Sequence, residues 1–391
     1  MNRQICIVTG TRADYGLLKS LIGAVRDADD LDLHLVATGM HLSPEFGMTA
    51  GEIEADGFPV DDRVETLLSS DTEVGVGKAV GLGVISFAEL FARRRPDILV
   101  LLGDRFEILA AATAAMLARI PIAHIHGGET TQGAVDEAIR HAVTKMAQLH
   151  FVAAPPYRDR VVQLGEAPER VFVIGGLGTD AIASFVPLSR AALEDDLSFR
   201  FGERSLLVTF HPPTLDGGKE PEQMQALLDA LAQLAPDVAL LFTMPNADAG
   251  GRRLAEMVEA FVASRPGARV FTSLGQRRYL SCLRQVSAVV GNSSSGLAEA
   301  PSFGIATVDI GDRQKGRLKA ASVISCPPEV DAILDGLHHA LDDVFRASLA
   351  GTRNPYGNGG ASMAIIEKLR NVSLDMLVKK SFHDIPVPPQ C

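Results

Sequence analysis

The sequence predicts an α/β protein with two parallel sheets. Short apolar runs rich in β-branched residues alternate with segments of helical periodicity, and this alternation is typical of strand–helix–strand units. Of the 391 residues, 47% are hydrophobic, only 5% are aromatic and none is Trp. This composition favours layers of Val, Ile, Leu and Ala, and the length favours two or three domains.

The apolar runs predicted to be strands share one feature: each ends at a cluster of polar residues or glycine. The runs are 5–9, 33–37, 98–102 and 120–125 in the first half and 206–210, 239–243, 288–290 and 307–310 in the second. Open α/β sheets bind ligands outside the carboxyl ends of their strands. We therefore predict one polar, anionic ligand held between the two sheets.

The segments between these runs are predicted to be helices, at 17–28, 84–94, 106–117, 135–149, 157–164 and 361 to about 379. The Gly-rich stretch 69–83 is predicted to be a mobile loop, and 175–187 a hinge between the halves. We predict a first domain over residues 1–180, a second over 181–360, and a closing helix with a loose tail over 361–391.

The charge and the cysteines restrict the partners and the location. A net charge of −11 argues against a nucleic-acid surface, which needs clustered Lys and Arg. The four cysteines form no C-x-x-C pair, as expected of reduced cytosolic thiols. The longest apolar stretch, 108–118, is shorter than the roughly 20 residues that span a bilayer. We predict a cytoplasmic protein with no nucleic-acid or membrane partner.

Two first-half clusters carry arginine. Arg12 follows Gly10-Thr11 at a predicted helix N-terminus, where an anion is favoured. In Gly103-Asp104-Arg105 a carboxylate adjoins a guanidinium, which suits acid–base chemistry beside an anionic leaving group. The alternative for Arg12 is an ion pair with a surface carboxylate. The alternative for the second cluster is an ion pair between Asp104 and Arg105. The chain lacks G-x-G-x-x-G and a P-loop lysine motif, so no cofactor is predicted.

The pair His124-x-His126 permits two interpretations. Residues i and i+2 of a strand share a face, so the imidazoles could bind zinc with Asp104 or His211, as in a metal hydrolase. The spacing does not specify a third ligand, however. We predict that His124 lies in the core, that His126 faces the cleft and that no metal is bound.

The second-half clusters favour phosphate and ribose. Ser293 and Ser294 open a helix after a predicted buried strand, where hydroxyls and free N–H groups form a phosphate cradle. Glu299, about a turn later, could accept from two ribose hydroxyls. The alternative is a helix cap with solvated serines. His211 and Arg313 add proton-donating or cationic groups at other strand ends.

With these clusters the chain resembles the UDP-N-acetylglucosamine 2-epimerases, in particular the hydrolysing branch that feeds the synthesis of sialic acid and related acids. The motifs that carry the resemblance span residues 10 to about 315; they are Gly10–Tyr15, Gly103–Arg105, His126–Glu129, Asp136, Ile139–His141, Phe210–Pro212, Pro245-Asn246, Gly291–Ser294, Glu299 and Arg313-Gln314. The resemblance implies two Rossmann-like domains in the glycosyltransferase-B arrangement, with the last helix packed on the first domain.

The resemblance also implies residue roles. Nucleotide or diphosphate contacts match Arg12, Arg105, His211, Asn246, Ser293, Ser294, Glu299 and Arg313, with the backbone near Leu274 at the uracil. Asp104 and Asp136 match carboxylates implicated in acid–base chemistry, and His126 and His211 join them as candidate catalytic groups. The best-known members carry Glu where this chain has His126, and relatives with His resemble enzymes acting on 2,4-diacetamido-2,4,6-trideoxy sugars.

We therefore predict hydrolysis of UDP-N-acetylglucosamine to UDP and an N-acetylmannosamine-type sugar through a 2-acetamidoglycal. Asp104 is the first choice for the base and Asp136 the second, with the other carboxylate or His126 as the acid. The alternatives are the same reaction on a UDP- or GDP-linked diacetamido sugar, a non-hydrolysing epimerase, a glycosyltransferase and a non-catalytic binding protein. A homo-oligomer, dimer or tetramer, is also predicted.

Overall fold

The computed structural model describes residues 2–68, 70, 72–132, 134–212, 218–245 and 251–385. Within them the chain forms one seven-stranded and one six-stranded sheet, and every strand pairing is parallel. We call the first sheet with its helices the first lobe and the second sheet with its helices the second lobe. The predicted fold class is confirmed.

The strands of the first sheet are β1 (Arg3–Thr9), β2 (Leu31–Thr38), β3 (Asp62–Val64), β4 (Ile98–Leu102), β5 (Ile122–Ile125), β6 (Leu149–Val152) and β7 (Val171–Val173). Those of the second are β8 (Ser205–Thr209), β9 (Ala239–Thr243), β10 (Ala268–Phe271), β11 (Ala288–Gly291), β12 (Ala306–Ile310) and β13 (Val323–Cys326).

The strand order positions the site. The orders are β3-β2-β1-β4-β5-β6-β7 and β10-β9-β8-β11-β12-β13, so the winding direction reverses between β1 and β4 and again between β8 and β11. The loops after the two strands at a reversal turn to opposite faces of the sheet and leave a crevice between them. The polar clusters after β1, β4, β8 and β11 therefore border such crevices.

The helices connect the strands: α1 (Arg12–Arg26), α2 (Ala50–Ala55), α3 (Glu73–Arg94), α4 (Phe106–Leu117), α5 (Asp136–Met146), α6 (Pro155–Gln163), α7 (Leu177–Ser184), α8 (Arg190–Leu197), α9 (Glu220–Ala232), α10 (Gly251–Ser264), α11 (Gly275–Leu283), α12 (Ser295–Ala298), α13 (Val330–Leu341), α14 (Asp343–Ser348) and α15 (Ala361–Asn371).

The prediction of a mobile loop is wrong for residues 73–83, because these belong to α3 (Glu73–Arg94); residues 69 and 71 lie outside the described residues. Thr72 caps it by accepting a hydrogen bond from the backbone N–H of Gly75 at 3.1 Å. Glycine is a poor helix former in isolation, but here it allows close packing: a Cβ at Gly83 would lie 2.7 Å from the Cβ of Ala110 in α4. Tertiary contact therefore overrides the local propensity.

By length and composition alone, α3 is the one helix of the described residues that could cross a bilayer. In the fold, however, Phe87, Leu90 and Phe91 of this helix are buried with α4 in the core of the first lobe. One face of α3 thus packs in the core, while Leu82 and Ile85 are exposed.

Further predictions differ from the structure, and three of them are instructive. The predicted helix 135–149 ends at Met146, and Leu149 begins strand β6. The predicted hinge contains the helix α7, whose Leu177 and Thr179 are buried. The closing helix ends at Asn371 rather than near 379, because Val372 is extended and caps it. The two misplaced helix ends fall where short apolar stretches suit more than one element.

The last helix packs on the first lobe. Ile365, Ile366 and Leu369 of α15 belong to the same buried cluster as Leu18 and Leu21 of α1. The first sheet ends at Val173 and the second begins at Ser205. The predicted division at residue 180 falls inside α7 and stays a prediction.

Candidate active site

A cavity of about 680 Å³ lies between the lobes and is lined by residues of both. This volume is in the range of small-molecule sites, roughly 300–1,000 Å³. Its walls are the loops after β1, β4 and β5 in the first lobe and after β8, β11 and β12 in the second. The cavity thus occupies the crevices that the strand orders create.

Two arginines of the first lobe stand at helix N-termini on the cavity wall. Arg12 is the first residue of α1, and its Nη2 donates to the carbonyl of Met244 in the second lobe at 3.2 Å. Burial lowers the pKa of Arg12 to about 10, so it remains protonated at neutral pH. Arg105 directly precedes α4, is buried, and its Nε lies 3.4 Å from Oε2 of Glu107. Both positions favour an anion.

Asp104 is held by a buried arginine from α5. The Nη2 of Arg140 donates to Oδ2 of Asp104, while its Nη1 donates to Oε2 of Glu137 at 2.9 Å and to the carbonyl of Glu129 at 3.0 Å. Burial lowers the pKa of Arg140, and the nearby Arg317 adds to this. A buried guanidinium requires anionic and polar partners, so Arg140 fixes the Asp104 carboxylate at the cavity wall.

Asp136 is the first residue of α5 and also lines the cavity. A helix N-terminus stabilises the negative charge of a carboxylate. Asp104 and Asp136 thus belong to one wall of one site.

The second lobe contributes a loop braced by Asn292. Its Oδ1 accepts from the backbone N–H of His211 at 2.7 Å, and its Nδ2 donates to the carbonyl of His211 at 2.8 Å. Its own carbonyl accepts from Nη1 of Arg313 at 3.2 Å. The side chain and the main chain of one buried asparagine therefore connect the loops after β8, β11 and β12, beside the cavity-lining Ser293 and Ser294.

A chain of hydrogen bonds ends at Glu299. The hydroxyl of Tyr279 donates to Oγ of Ser295 at 2.5 Å, and Oγ of Ser295 donates to Oε2 of Glu299. Burial raises the pKa of Glu299. The chain orients the carboxylate inside the cavity, where Leu274 of the loop after β10 is also found.

His124 lies in the core, as predicted. It is buried, its Nε2–H donates to the carbonyl of Gly103 at 2.7 Å, and its Nδ1 lies 3.1 Å from Oγ1 of Thr144. Burial lowers its pKa to about 3. Because both ring nitrogens are occupied, the zinc-hydrolase alternative loses one of its ligands.

His126 lines the cavity, but it lies beyond the end of β5 with a φ of 64°. The strand alternation that would place it on one face with His124 therefore ends before it. Its side chain is only 15% exposed, and burial lowers its pKa.

Every predicted site residue that the structure describes lies on this cavity wall. These are Arg12, Asp104, Arg105, His126, Asp136, His211, Leu274, Ser293, Ser294, Glu299 and Arg313. Asn246 lies outside the described residues. The roles assigned to these residues stay predictions, since location alone does not establish a role.

The cavity also contains residues that received no role from the sequence: Glu129, Arg140, Gln276, Tyr279 and Arg317. The sequence contained a local signal for only three of these five residues. Glu129 and Arg140 lie inside motifs already singled out, and Arg317 closes a polar run that begins at Asp312. Tyr279 and Gln276 lie on the amphipathic helix α11, where nothing local distinguishes them from surface residues.

Most of the chain matches one known protein family. The model of the family described as UDP-N-acetylglucosamine 2-epimerase matches residues 23–370. The chain belongs to the UDP-N-acetylglucosamine 2-epimerase family. The resemblance inferred from the motifs is therefore confirmed.

Among curated relatives in this family, one from Campylobacter jejuni is 38% identical over 98% of this chain and 99% of its own length. It is named GDP/UDP-N,N'-diacetylbacillosamine 2-epimerase (hydrolyzing). The Legionella pneumophila UDP-N,N'-diacetylbacillosamine 2-epimerase (hydrolyzing) is 35% identical over 96% of this chain and 97% of its own. Polysialic acid biosynthesis protein P7 of Escherichia coli is 35% identical over 98% of each.

A solved member of the family has the same fold. The crystal structure of the Neisseria meningitidis UDP-GlcNAc 2-epimerase bound to UDP-GlcNAc covers 94% of this chain and 100% of that chain, with a TM-score of 0.81 at 16% identity. The predicted glycosyltransferase-B-type arrangement of two Rossmann-like domains is therefore confirmed.

Proposed function

We propose that the protein is a hydrolysing nucleotide-sugar 2-epimerase whose substrate is UDP-linked N,N'-diacetylbacillosamine, a 2,4-diacetamido-2,4,6-trideoxy sugar. Its products are UDP and the free sugar with inverted C2, and one water is consumed. The observation that carries this proposal is a single cavity with arginines and carboxylates from the first lobe facing serines and Arg313 from the second.

The diphosphate is assigned to the cationic part of the cavity. Arg12 and Arg105 supply guanidinium groups, and Arg313 approaches from the second lobe together with the hydroxyls of Ser293 and Ser294. Preorganised donors of this kind stabilise charge as it develops on a leaving group. They therefore assist cleavage of the bond between C1 and the diphosphate oxygen.

The uridine is assigned to the second lobe. The carboxylate of Glu299 accepts from the ribose hydroxyls, and the backbone near Leu274 contacts the uracil. The hydrogen-bond chain from Tyr279 through Ser295 supports this assignment, because it directs Glu299 without neutralising it by a cation.

The chemistry is an elimination followed by a hydration. Asp104 removes the proton from C2, the C1–O bond breaks, its electron pair leaves with UDP, and a C1–C2 double bond forms. Water then adds its oxygen to C1 while a proton is delivered to C2 from the opposite face. Asp136 is assigned as the second carboxylate for this transfer, and His211 as the acid that protonates the leaving diphosphate.

The diacetamido sugar is preferred to UDP-N-acetylglucosamine, the first prediction from the sequence. Its support is the similarity, over nearly the full chain, to two relatives named for N,N'-diacetylbacillosamine. A second support is His126, at a position where the best-known members have Glu. UDP-N-acetylglucosamine remains the second candidate, since a relative of similar identity is named for polysialic acid biosynthesis.

The test is a set of parallel ¹H NMR assays with UDP- and GDP-linked N,N'-diacetylbacillosamine and UDP-N-acetylglucosamine. We expect free reducing sugar and UDP without any acceptor, with kcat/KM for the UDP-diacetamido substrate at least about tenfold higher, because desolvated acetamido contacts discriminate by roughly 1–3 kcal/mol. Higher kcat/KM for UDP-N-acetylglucosamine would reverse the assignment.

The same assay separates the other reaction classes. In D₂O the free product should carry deuterium at C2, because the proton removed by a carboxylate exchanges with solvent. A nucleotide-linked epimer as the product would identify a non-hydrolysing epimerase. Turnover only with an added acceptor would identify a glycosyltransferase, and UDP binding without turnover a binding protein.

A further inference from the structure

Both nitrogens of the His126 ring face a partner. Its Nε2 accepts a hydrogen bond from the backbone N–H of Leu177 at 3.3 Å, and its Nδ1 lies 3.2 Å from Oε1 of Glu129. Leu177 is the first residue of α7, where backbone N–H groups lack partners within the helix. The imidazole therefore caps this helix.

These contacts select one tautomer. A backbone N–H can only donate, so the Nε2 that faces Leu177 is unprotonated, and the neutral ring carries its hydrogen on Nδ1. That hydrogen faces Oε1 of Glu129, a buried atom that has no hydrogen-bond partner among the described residues. The opposite tautomer would set two buried acceptors against each other. A small rotation of the ring completes the hydrogen bond.

Glu129 is held on its other side by the second lobe. Nη2 of Arg317 lies 3.2 Å from Oε2 of Glu129, and Nε of Arg317 donates to the carbonyl of Thr130 at 2.8 Å. The Glu129 side chain is only 3% exposed, yet Glu129, His126 and Arg317 all line the cavity. A carboxylate from one lobe is thus fixed jointly by a histidine and by an arginine from the other lobe.

The charges around His126 are consistent with a neutral ring. The titratable groups that face it are Glu129, Arg317 and His124, and burial is the largest effect on its pKa, which is lowered. Nε2 faces the backbone N–H of Leu177 and Nδ1 faces Glu129, so both ring nitrogens are directed to protein partners. The prediction that His126 could serve as the general acid is therefore not supported by the geometry.

We propose that His126 is a neutral positioning residue, and that with Arg317 it fixes Glu129 as a third carboxylate acting on the sugar. This inference rests on the proposed function. Glu129 would then return the proton to C2 in the hydration, the transfer otherwise assigned to Asp136, while Asp104 keeps the removal of the C2 proton in the elimination.

Three variants test the inference. In His126→Asn the side-chain amide provides a donor near the position of Nδ1, and Asn tolerates the positive φ of residue 126. We expect His126→Asn to lower kcat by no more than about tenfold, His126→Ala by about a hundredfold, and Glu129→Gln by about 10²–10⁴-fold. In each variant KM and the affinity for UDP should change less than about threefold.

The pH profile gives the decisive kinetic result. His126→Asn should keep both limbs of the dependence of kcat on pH, because a His126 ring that stays neutral contributes neither limb. If His126→Asn loses as much activity as Glu129→Gln and also loses a limb, then His126 transfers the proton and the proposal is overturned. A Glu129→Gln variant with kcat within tenfold of the parent would equally overturn it.

A spectroscopic measurement needs no turnover. Two-bond ¹H–¹⁵N correlation on protein labelled at histidine nitrogens, with His126 assigned by its loss in His126→Asn, should show the Nδ1–H tautomer between about pH 6 and 8. The Nε2–H tautomer or a cationic ring would refute the positioning role. If the tautomer is as expected but no nucleotide sugar is hydrolysed, the proposed function fails while the placement of His126 stands.

Discussion

Asp104 illustrates how a single residue is prepared for chemistry by a partner distant in sequence. Its carboxylate and the buried guanidinium of Arg140 form an ion pair at the cavity wall. An arginine in the core cannot lose its proton and requires an anion beside it. The pair therefore holds at the cavity wall the carboxylate that is proposed as the base.

The first prediction concerns Asp104→Asn. We expect kcat to fall about 10²–10⁴-fold, because an amide cannot accept the C2 proton, while the Kd for UDP changes less than about threefold. Initial rates by NMR and UDP binding by calorimetry measure the two effects. Glu54→Gln, an exposed carboxylate paired with Arg63 on the surface, is the matched control. A loss below tenfold in Asp104→Asn would exclude Asp104 as the base.

At the scale of elements, α3 shows that glycines in one helix serve different purposes. A Cβ at Gly83 would meet Ala110 of the neighbouring helix, whereas a Cβ at Gly81 meets nothing within 4 Å. The first position is required for helix packing, and the second is an ordinary exposed helix position.

The second prediction compares these two glycines. Gly81→Ala should raise the free energy of unfolding by about 0.5–1 kcal/mol, because Ala is the better helix former. Gly83→Ala should lower it by about 1–3 kcal/mol, because the added methyl overpacks the contact with α4. Urea unfolding with unchanged m-values measures both. If both variants are stabilised, α3 and α4 are not in the contact described.

A second element-scale feature is the segment after α15, which is anchored on Glu166. Nζ of Lys380 lies 2.7 Å from Oε2 of Glu166, and His150 and Lys145 contact the same carboxylate. Burial alone would raise the pKa of Glu166, but the hydrogen bonds from these three residues outweigh it and lower the pKa to about 2.

The third prediction follows from the sign of that shift. A lowered folded-state pKa stabilises the protein above the unfolded value of about 4.3, and this stabilisation is lost as the pH falls from there towards 2. Glu166→Gln should lower the free energy of unfolding by about 2–3 kcal/mol near pH 7. Over this acid range the free energy of unfolding should fall less in the variant than in the parent. Urea unfolding between pH 3 and 7 measures it, with the exposed Glu169→Gln as control. A parallel pH dependence in Glu166→Gln would contradict this assignment.

At the scale of the whole molecule, contacts across the cleft hold the lobes together. Arg252 of α10 forms a bidentate pair with Glu45 of the first lobe at 2.7 and 2.9 Å, and Nε2 of Gln276 donates to the carbonyl of Gly16. These contacts close the same cleft that contains the cavity. Assembly into a homo-oligomer stays a prediction.

The fourth prediction is a charge exchange across the cleft. Glu45→Arg and Arg252→Glu should each lower kcat/KM about two- to fivefold, because an exposed ion pair contributes only about 0.2–1 kcal/mol, and the double variant should recover most of the loss. Reversal of the pair Arg190–Glu194 within α8 is the control. If the losses in kcat/KM of the two single variants simply multiply in the double variant, the pair does not couple the lobes.

The sequence by itself determined the sheets and most of the residues that line the cavity. The strands Ile98–Leu102 and Ala239–Thr243 were predicted to the residue, since a continuous apolar run ended by polar residues is a local signal. Arg12, Asp104 and Ser293 were recognised because the carboxyl ends of parallel strands collect functional groups. Short strands such as Asp62–Val64 and the Gly-rich helix α3 have no comparable local signal.

Only the tertiary structure decided what depends on contacts between distant segments. Glu129 and Arg317 come from different lobes, and no periodicity predicts that they pair. The state of His126 likewise depends on Leu177 and Glu129, because burial and partners fix a tautomer whereas the residue type does not. Local patterns specify the elements, but the electrostatics of the cavity arise only when both lobes enclose it.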